Sequence, residues 1–318
     1  MKAYSLAARR SLIFLGIVLL FLGINPRVAA SIRELRQGDN APLGIVFDGA
    51  NIWVANNAEN SLSKLRPEDG ETLKKFATGV APYGLTFDGA NVWVTCALDN
   101  TVQKFRASDG LLLGTFPVGR TPRAILFDGT NIWVANLLDF TVTKLLAADG
   151  SFEATFAVPA GWANGLAFDG TNLWLTNYYQ VIKMDPNDGT VLASYGYFEQ
   201  PYGILFDGTD IWFTESGGLQ AKLVHNVYKM QPSDGTILSK TETNSRPYGI
   251  VTDGKNIFVA CSNHGLVDQV RVSDGALMRV YQLQAGAAFL TLENDNLWVT
   301  CNSYRHGRDF IDKISPGP

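Results

Sequence analysis

The chain has 318 residues, 46% of them hydrophobic and 18% charged, and a formal net charge of −4. That is apolar material enough for one large core without cross-links. A mildly acidic chain with no basic stripe sets aside nucleic-acid binding and polybasic attachment to a membrane surface, and an odd count of three cysteines sets aside a full disulfide framework.

The first thirty residues read as a separate unit. Lys2, Arg9 and Arg10 make a basic start, Leu12 to Ile24 is an unbroken apolar run, and Val28-Ala29-Ala30 follows. Basic, apolar, small is the order of a secretory signal, with cleavage expected after Ala30. The run is shorter than the ~20 apolar residues of a membrane span, so no stable membrane insertion is expected after cleavage. Removing Lys2, Arg9, Arg10 and Arg27 with no acid moves the formal charge from −4 to −8. The reading is a secreted or periplasmic protein whose body is 31–318.

From there the chain repeats. Phe-Asp-Gly stands at 47–49, 87–89, 127–129, 168–170 and 206–208, with Thr252-Asp253-Gly254 a near copy and Leu292-Glu293-Asn294 a degenerate seventh. Each is followed by an aromatic residue: Trp53, Trp93, Trp133, Trp174, Trp212, Phe258 and Trp298. A lysine recurs later in the unit (Lys64, Lys104, Lys144, Lys183, Lys229, Lys313), and six units carry a second Asp-Gly. In the second copy, Tyr83 to Phe87 is an apolar run, Asp88-Gly89 a turn, and Asn91 to Thr95 a β-branched and aromatic strand. Thr101 to Arg106, a turn at Asp109-Gly110 and Leu111 to Phe116 complete four antiparallel strands. Four strands in about 40 residues is a propeller blade. The fold class is therefore all-β, a seven-bladed β-propeller. Its last copy ends after three strands, and Ser31 to Gln37 is expected to pair with Phe310 to Ile314 as the fourth, closing the ring.

The pattern P-x-G-[IL]-x-F-D-G-x-N-[IV]-W-V-A-N resembles the YVTN and NHL-type propellers. With Asp210-Ile211-Trp212-Phe213-Thr214-Glu215 it is also similar to the virginiamycin B (streptogramin) lyase-like group. The resemblance implies a propeller over about 31–318. For the lyase proper it implies a divalent metal, usually magnesium, and a histidine/glutamate site that opens an ester by elimination. Here the inner strands begin Pro-Tyr-Gly or variants, and no Glu-x-His occurs. The resemblance carries over no catalytic residue.

Both Asp-Gly turns fall at one end of every blade, uniform and so structural. The other end holds the variable loops, where function concentrates. All three histidines fall there, His225, His264 and His306, in the loops between strands two and three of blades five, six and seven, and Glu215 opens the first of these loops. They are the candidates for a metal site (magnesium or calcium) and, for His264, His306 and Glu215, for acid–base catalysis. The start of strand one gives a second ring, Leu43, Tyr83, Arg123, Asn164, Tyr202, Tyr248 and Ala288. Within it Tyr83, Arg123, Asn164, Tyr202 and Tyr248 suit a ligand with an aromatic or anionic part, against packing of the tyrosines on adjacent prolines as the structural alternative. Trp162 is the one tryptophan off the repeat. The cysteines share one repeat position in blades too far apart to bridge.

Three functions remain open: a binding or scaffold propeller engaging a protein, polymer or small molecule at the loop-rich face, a metal-assisted lyase or hydrolase acting on an ester or lactone there, and a quinone-type oxidoreductase, for which no cofactor signature is present.

Overall fold

The computed structural model describes residues 31–38, 41–159, 161–217, 225–302 and 309–316. The signal-like segment lies outside them. All regular structure in the described residues is β-strand, in seven four-stranded antiparallel sheets. The first blade is typical: Pro42–Phe47, Ile52–Asn56, Ser61–Leu65 and Thr72–Ala77, paired in sequence order. First strands of successive blades adjoin around the axis, and fourth strands form the rim.

The ring closes as the sequence predicts. Ser31–Gly38 pairs antiparallel with Asp309–Ser315, from Ser31 opposite Ser315 to Arg36 opposite Phe310, and so completes the sheet of Ala287–Glu293 and Asn296–Cys301. Two side-chain ties cross the same seam. Thr300 Oγ1 donates to Leu43 O at 2.8 Å, and Lys313 Nζ donates to Pro67 O at 2.8 Å.

The repeated residues explain themselves. In blade two, Asp88 Oδ1 accepts the N–H groups of Ala90 and Asn91 at 2.9 and 2.7 Å, which fixes the first turn. Its Oδ2 accepts Trp93 Nε1 at 2.7 Å. One carboxylate thus holds both the turn and the buried indole, and Asp48, Asp128, Asp169 and Asp207 do the same. The lysine of strand three lies over that indole, and Lys64, Lys104, Lys183, Lys229 and Lys313 each reach a carbonyl of the next blade. Lys104 Nζ stands 5.0 Å from the Trp93 ring and donates to Ala147 O and Ala148 O at 2.8 and 2.9 Å. Lys64 joins blade one to blade two in the same way, through Ala107 O at 2.8 Å.

The core lies between blades. Trp53, Ala55 and Leu62 of blade one pack on Val92, Val94, Cys96 and Phe105 of blade two. Further out, Phe76 stacks on Trp53 and sits against Gly110 of the next blade, where an added Cβ would stand 2.0 Å from the ring. Gly110 has φ +75°, so the second turn needs glycine for conformation and for space. The three cysteines are buried and unbridged, as expected. Each lies near a polar side chain of the neighbouring strand: Gln103, Asp268 or Asp312.

Candidate functional site

The inner strands crowd the axis. A Cβ on Gly84 would stand 2.3 Å from Arg123 O, and one on Gly203 2.3 Å from Tyr248 O, so the glycine of Pro-x-Gly is a close-approach residue. Threonines of strand two sew these strands together: Thr95 Oγ1 accepts Gly84 N–H at 2.9 Å and donates to Arg123 O at 3.0 Å. In six blades the pairing of strands one and two shifts register between the strand's opening residue and the core residue two or three further on. The variable residue sits in that irregularity.

The axial cavity holds about 210 Å3. Ile45, Leu85, Ile125, Leu166, Ile204, Ile250 and Leu290, one per blade, form an apolar collar. At the loop-bearing level all five sequence-predicted ligand residues line it: Tyr83, Arg123, Asn164, Tyr202 and Tyr248. The tyrosines pack on one another across the axis. Tyr83 and Tyr202 share a hydroxyl–hydroxyl bond of 2.8 Å, Tyr202 stacks on Tyr248 at 3.7 Å, and Tyr83 and Tyr248 both meet the Phe289 ring edge-on. Asn164 Nδ2 donates to Pro201 O at 3.1 Å. Phe289 is the residue that sequence reasoning missed. The ring position aligned to Tyr83 is Ala288, which is buried, and Phe289 occupies the place of the Pro-x-Gly glycine. A bulky residue at that glycine position was the available signal.

Arg123 differs electrostatically from the rest. Its guanidinium lies 5.0 Å from the Tyr83 ring centroid, and its Nε is buried without a partner. No carboxylate pairs with it among the described residues. Its guanidinium also hydrogen-bonds Tyr202, but that hydroxyl brings no counter-charge: burial, and then the neighbouring phenols, push Tyr202 well above its ordinary range, and burial does the same to Tyr83 against the Arg123 charge. A fixed positive charge therefore faces a neutral cavity.

The histidine candidates gather only in part. His225 is half-buried with Nδ1 unpartnered. Burial lowers its pKa, and the nearby charges of Arg246 and His264 add to that against Ser216 and Glu215. His264 is exposed, its Nδ1 3.1 Å from Ser245 Oγ. Glu215 is buried, and both oxygens are engaged: Oε1 accepts Glu199 N–H at 2.8 Å, and Oε2 accepts Asn226 Nδ2 at 2.7 Å and Tyr228 OH at 2.8 Å. His306 lies outside the described residues. No three His, Cys, Asp or Glu side chains converge to hold a metal among the described residues. With Glu215 saturated and Arg246 beside His225, the described members of this donor set, His225, His264 and Glu215, do not fit a resident magnesium or calcium ion.

No protein-family profile matches the chain, and no curated protein matches it in sequence. Solved structures do. Virginiamycin B lyase from Staphylococcus aureus is 17% identical with a TM-score of 0.73, over 90% of this chain and 99% of that one. A streptogramin B lyase is 20% identical with a TM-score of 0.76, over 90% and 97%. A catalytically inactive histidine-to-alanine variant of the S. aureus enzyme, with quinupristin, is 18% identical with a TM-score of 0.74, over 90% and 99%. What this chain has in common with the streptogramin lyases is the seven-bladed propeller fold.

Proposed function

We propose that this chain is a binding propeller, exported after cleavage behind Ala30, that takes a small organic anion with a ring-sized apolar part in its axial cavity. Arg123 carries the reading. A half-buried guanidinium with a buried, unpartnered Nε, met only by the Tyr202 hydroxyl and the Tyr83 ring and by no carboxylate among the described residues, is costly unless an anion meets it. The cavity of about 210 Å3 suits one ring; cavities of about 150 Å3 take benzene. Phe289 and the apolar collar would contact the ring, and the guanidinium fork would hold a carboxylate. Tyrosine fluorescence titrated with benzoate tests this. Saturable quenching weakened about tenfold or more in Arg123→Gln is expected. An equal response in wild type and variant sinks the proposal. Export is checked separately by sequencing the N-terminus of the extracytoplasmic protein, which should begin at Ser31.

A lyase or hydrolase acting on an ester or lactone is the second reading, favoured by His225. An imidazole kept neutral by burial, with an unpartnered nitrogen at the loop-bearing end, is equipped to take a proton. Ester turnover that survives His225→Gln unchanged would remove it.

A further inference from the structure

Blade four departs from the repeat at its loop-bearing end. Asn177 to Gln180 close a tight turn, with Asn177 N–H donating to Gln180 O at 2.9 Å. Asn177 Oδ1 accepts the N–H groups of Tyr179 and Gln180 at 2.9 and 2.7 Å, and Asn177 Nδ2 ties the turn to Pro159 O at 2.8 Å. Such tips ordinarily carry Gly, Asn or Asp. This one carries Tyr178 and Tyr179. Tyr179 stacks on Tyr197 at 4.6 Å and 14°, and Tyr197 is 76% exposed. Tyr178 meets Tyr179 edge-on at 4.5 Å and Trp162 edge-on at 5.4 Å, and Trp162 is 41% exposed.

Four contiguous rings therefore run from the outer strand of the blade inward. They end at Trp162, two residues before Asn164, and none of the four lines the axial cavity. Scattered exposed apolar residues need no explanation, whereas a contiguous patch marks a contact surface. The flank of this patch is polar and positive. Gln200 Nε2 donates to Tyr178 OH at 3.4 Å, and Gln200 Oε1 accepts Arg246 Nη2 at 3.3 Å. Arg246 Nε is buried without a partner, and no carboxylate pairs with Arg246 among the described residues.

We infer that this surface binds an acidic oligosaccharide. A pyranose ring has a flat C–H face that lies on an aromatic ring, and Tyr and Trp add polar tips to a large apolar face. Gln200 offers donors and acceptors to sugar hydroxyls, and the Arg246 fork matches a uronic carboxylate. A proline-rich peptide would instead want aromatic walls enclosing a groove. Here the rings form a surface strip beside a cation that has no carboxylate partner among the described residues, and that charge selects the sugar acid. The site stands apart from the Arg123 cavity and is read with different probes, so either can fail alone.

Calorimetric titration of the purified protein with tetragalacturonate, maltotetraose and a decaproline peptide decides it. Tetragalacturonate is expected to bind, and maltotetraose at least about fivefold more weakly. Trp162→Ala and Tyr197→Ala are each expected to weaken tetragalacturonate about tenfold, with Trp162→Phe restoring most of it. Melting of each variant is measured beside binding. Rings that only pack loops would lower the melting point and leave affinity alone, which overturns the inference. So would no sugar binding, equal binding of the neutral sugar, or preference for the peptide.

Discussion

Replacing Lys104 with methionine tests whether the blades are strapped together by their lysines. Lys104 is 6% exposed, and its ammonium donates to two carbonyls of the next blade at 2.8 and 2.9 Å while lying 5.0 Å from the Trp93 ring. Two hydrogen bonds from a charged donor contribute about 1.5–3 kcal/mol each, and the contact with the indole adds roughly 1 kcal/mol. Methionine keeps the apolar stem and recovers the several kcal/mol spent on desolvating the ammonium. The net loss is about 2–3 kcal/mol, or roughly 4–6 °C in a chain of this size. Lys144 is the control. It lies over Trp133 at 5.4 Å, but its ammonium pairs with Glu153 of its own blade at 3.1 Å, a half-exposed pair contributing under ~1 kcal/mol. Denaturant midpoints of the two variants should therefore differ by a wide margin. Equal midpoints, or a neutral Lys104→Met, would refute the strap.

Gly110→Ala should cost about 2–4 kcal/mol, because its Cβ would meet the Phe76 ring and φ is +75°. Gly89→Ala, at φ +96° with nothing within 4 Å, should cost about 1–2 kcal/mol, and equal denaturation midpoints would contradict the packing argument. In acid, burial alone would raise Asp88, Asp128 and Asp169, but the bonds from Trp93, Trp133, Trp174 and the turn N–H groups win and hold them low. A depressed folded-state pKa contributes stability that is present above the unfolded value of about 3.9 and lost as pH falls through the folded value; a melting point unchanged from pH 5 to 2.5 would count against this. Deleting Ser31–Gly38 uncovers the strand Asp309–Ser315, whose Ile311 and Ile314 are fully buried; light scattering should then show edge-to-edge association, and a stable monomer would show the strand to be dispensable.

The repeat made the blades legible because each is built from local turns, and a local turn leaves its residues side by side in sequence. Ring closure was legible for the related reason that a three-strand last copy needs a fourth. Contacts between blades were not. That Lys104 reaches Ala147, or that Tyr83 and Tyr202 meet across the axis, joins residues far apart in the chain with no sequence-local spacing. The packing of the tyrosines on one another was hidden for the same reason. Glu215 stands at the mouth in sequence, yet its side chain turns to Tyr228, because alternation sets it on the Phe213 side of a strand buried on both faces.

The seam between the two ends of the body bears on how the ring comes into being. Ser31 pairs with Ser315, so the last sheet draws on residues nearly the whole length of the body apart. A chain emerging from its N-terminus can stack blades one after another as an open arc, but its first strand waits unpaired until the final one arrives. Completion is then a single long-range event. The oldest and the newest residues of the body become structured together, and a half-made ring keeps a free margin on which a chaperone or a second arc could act.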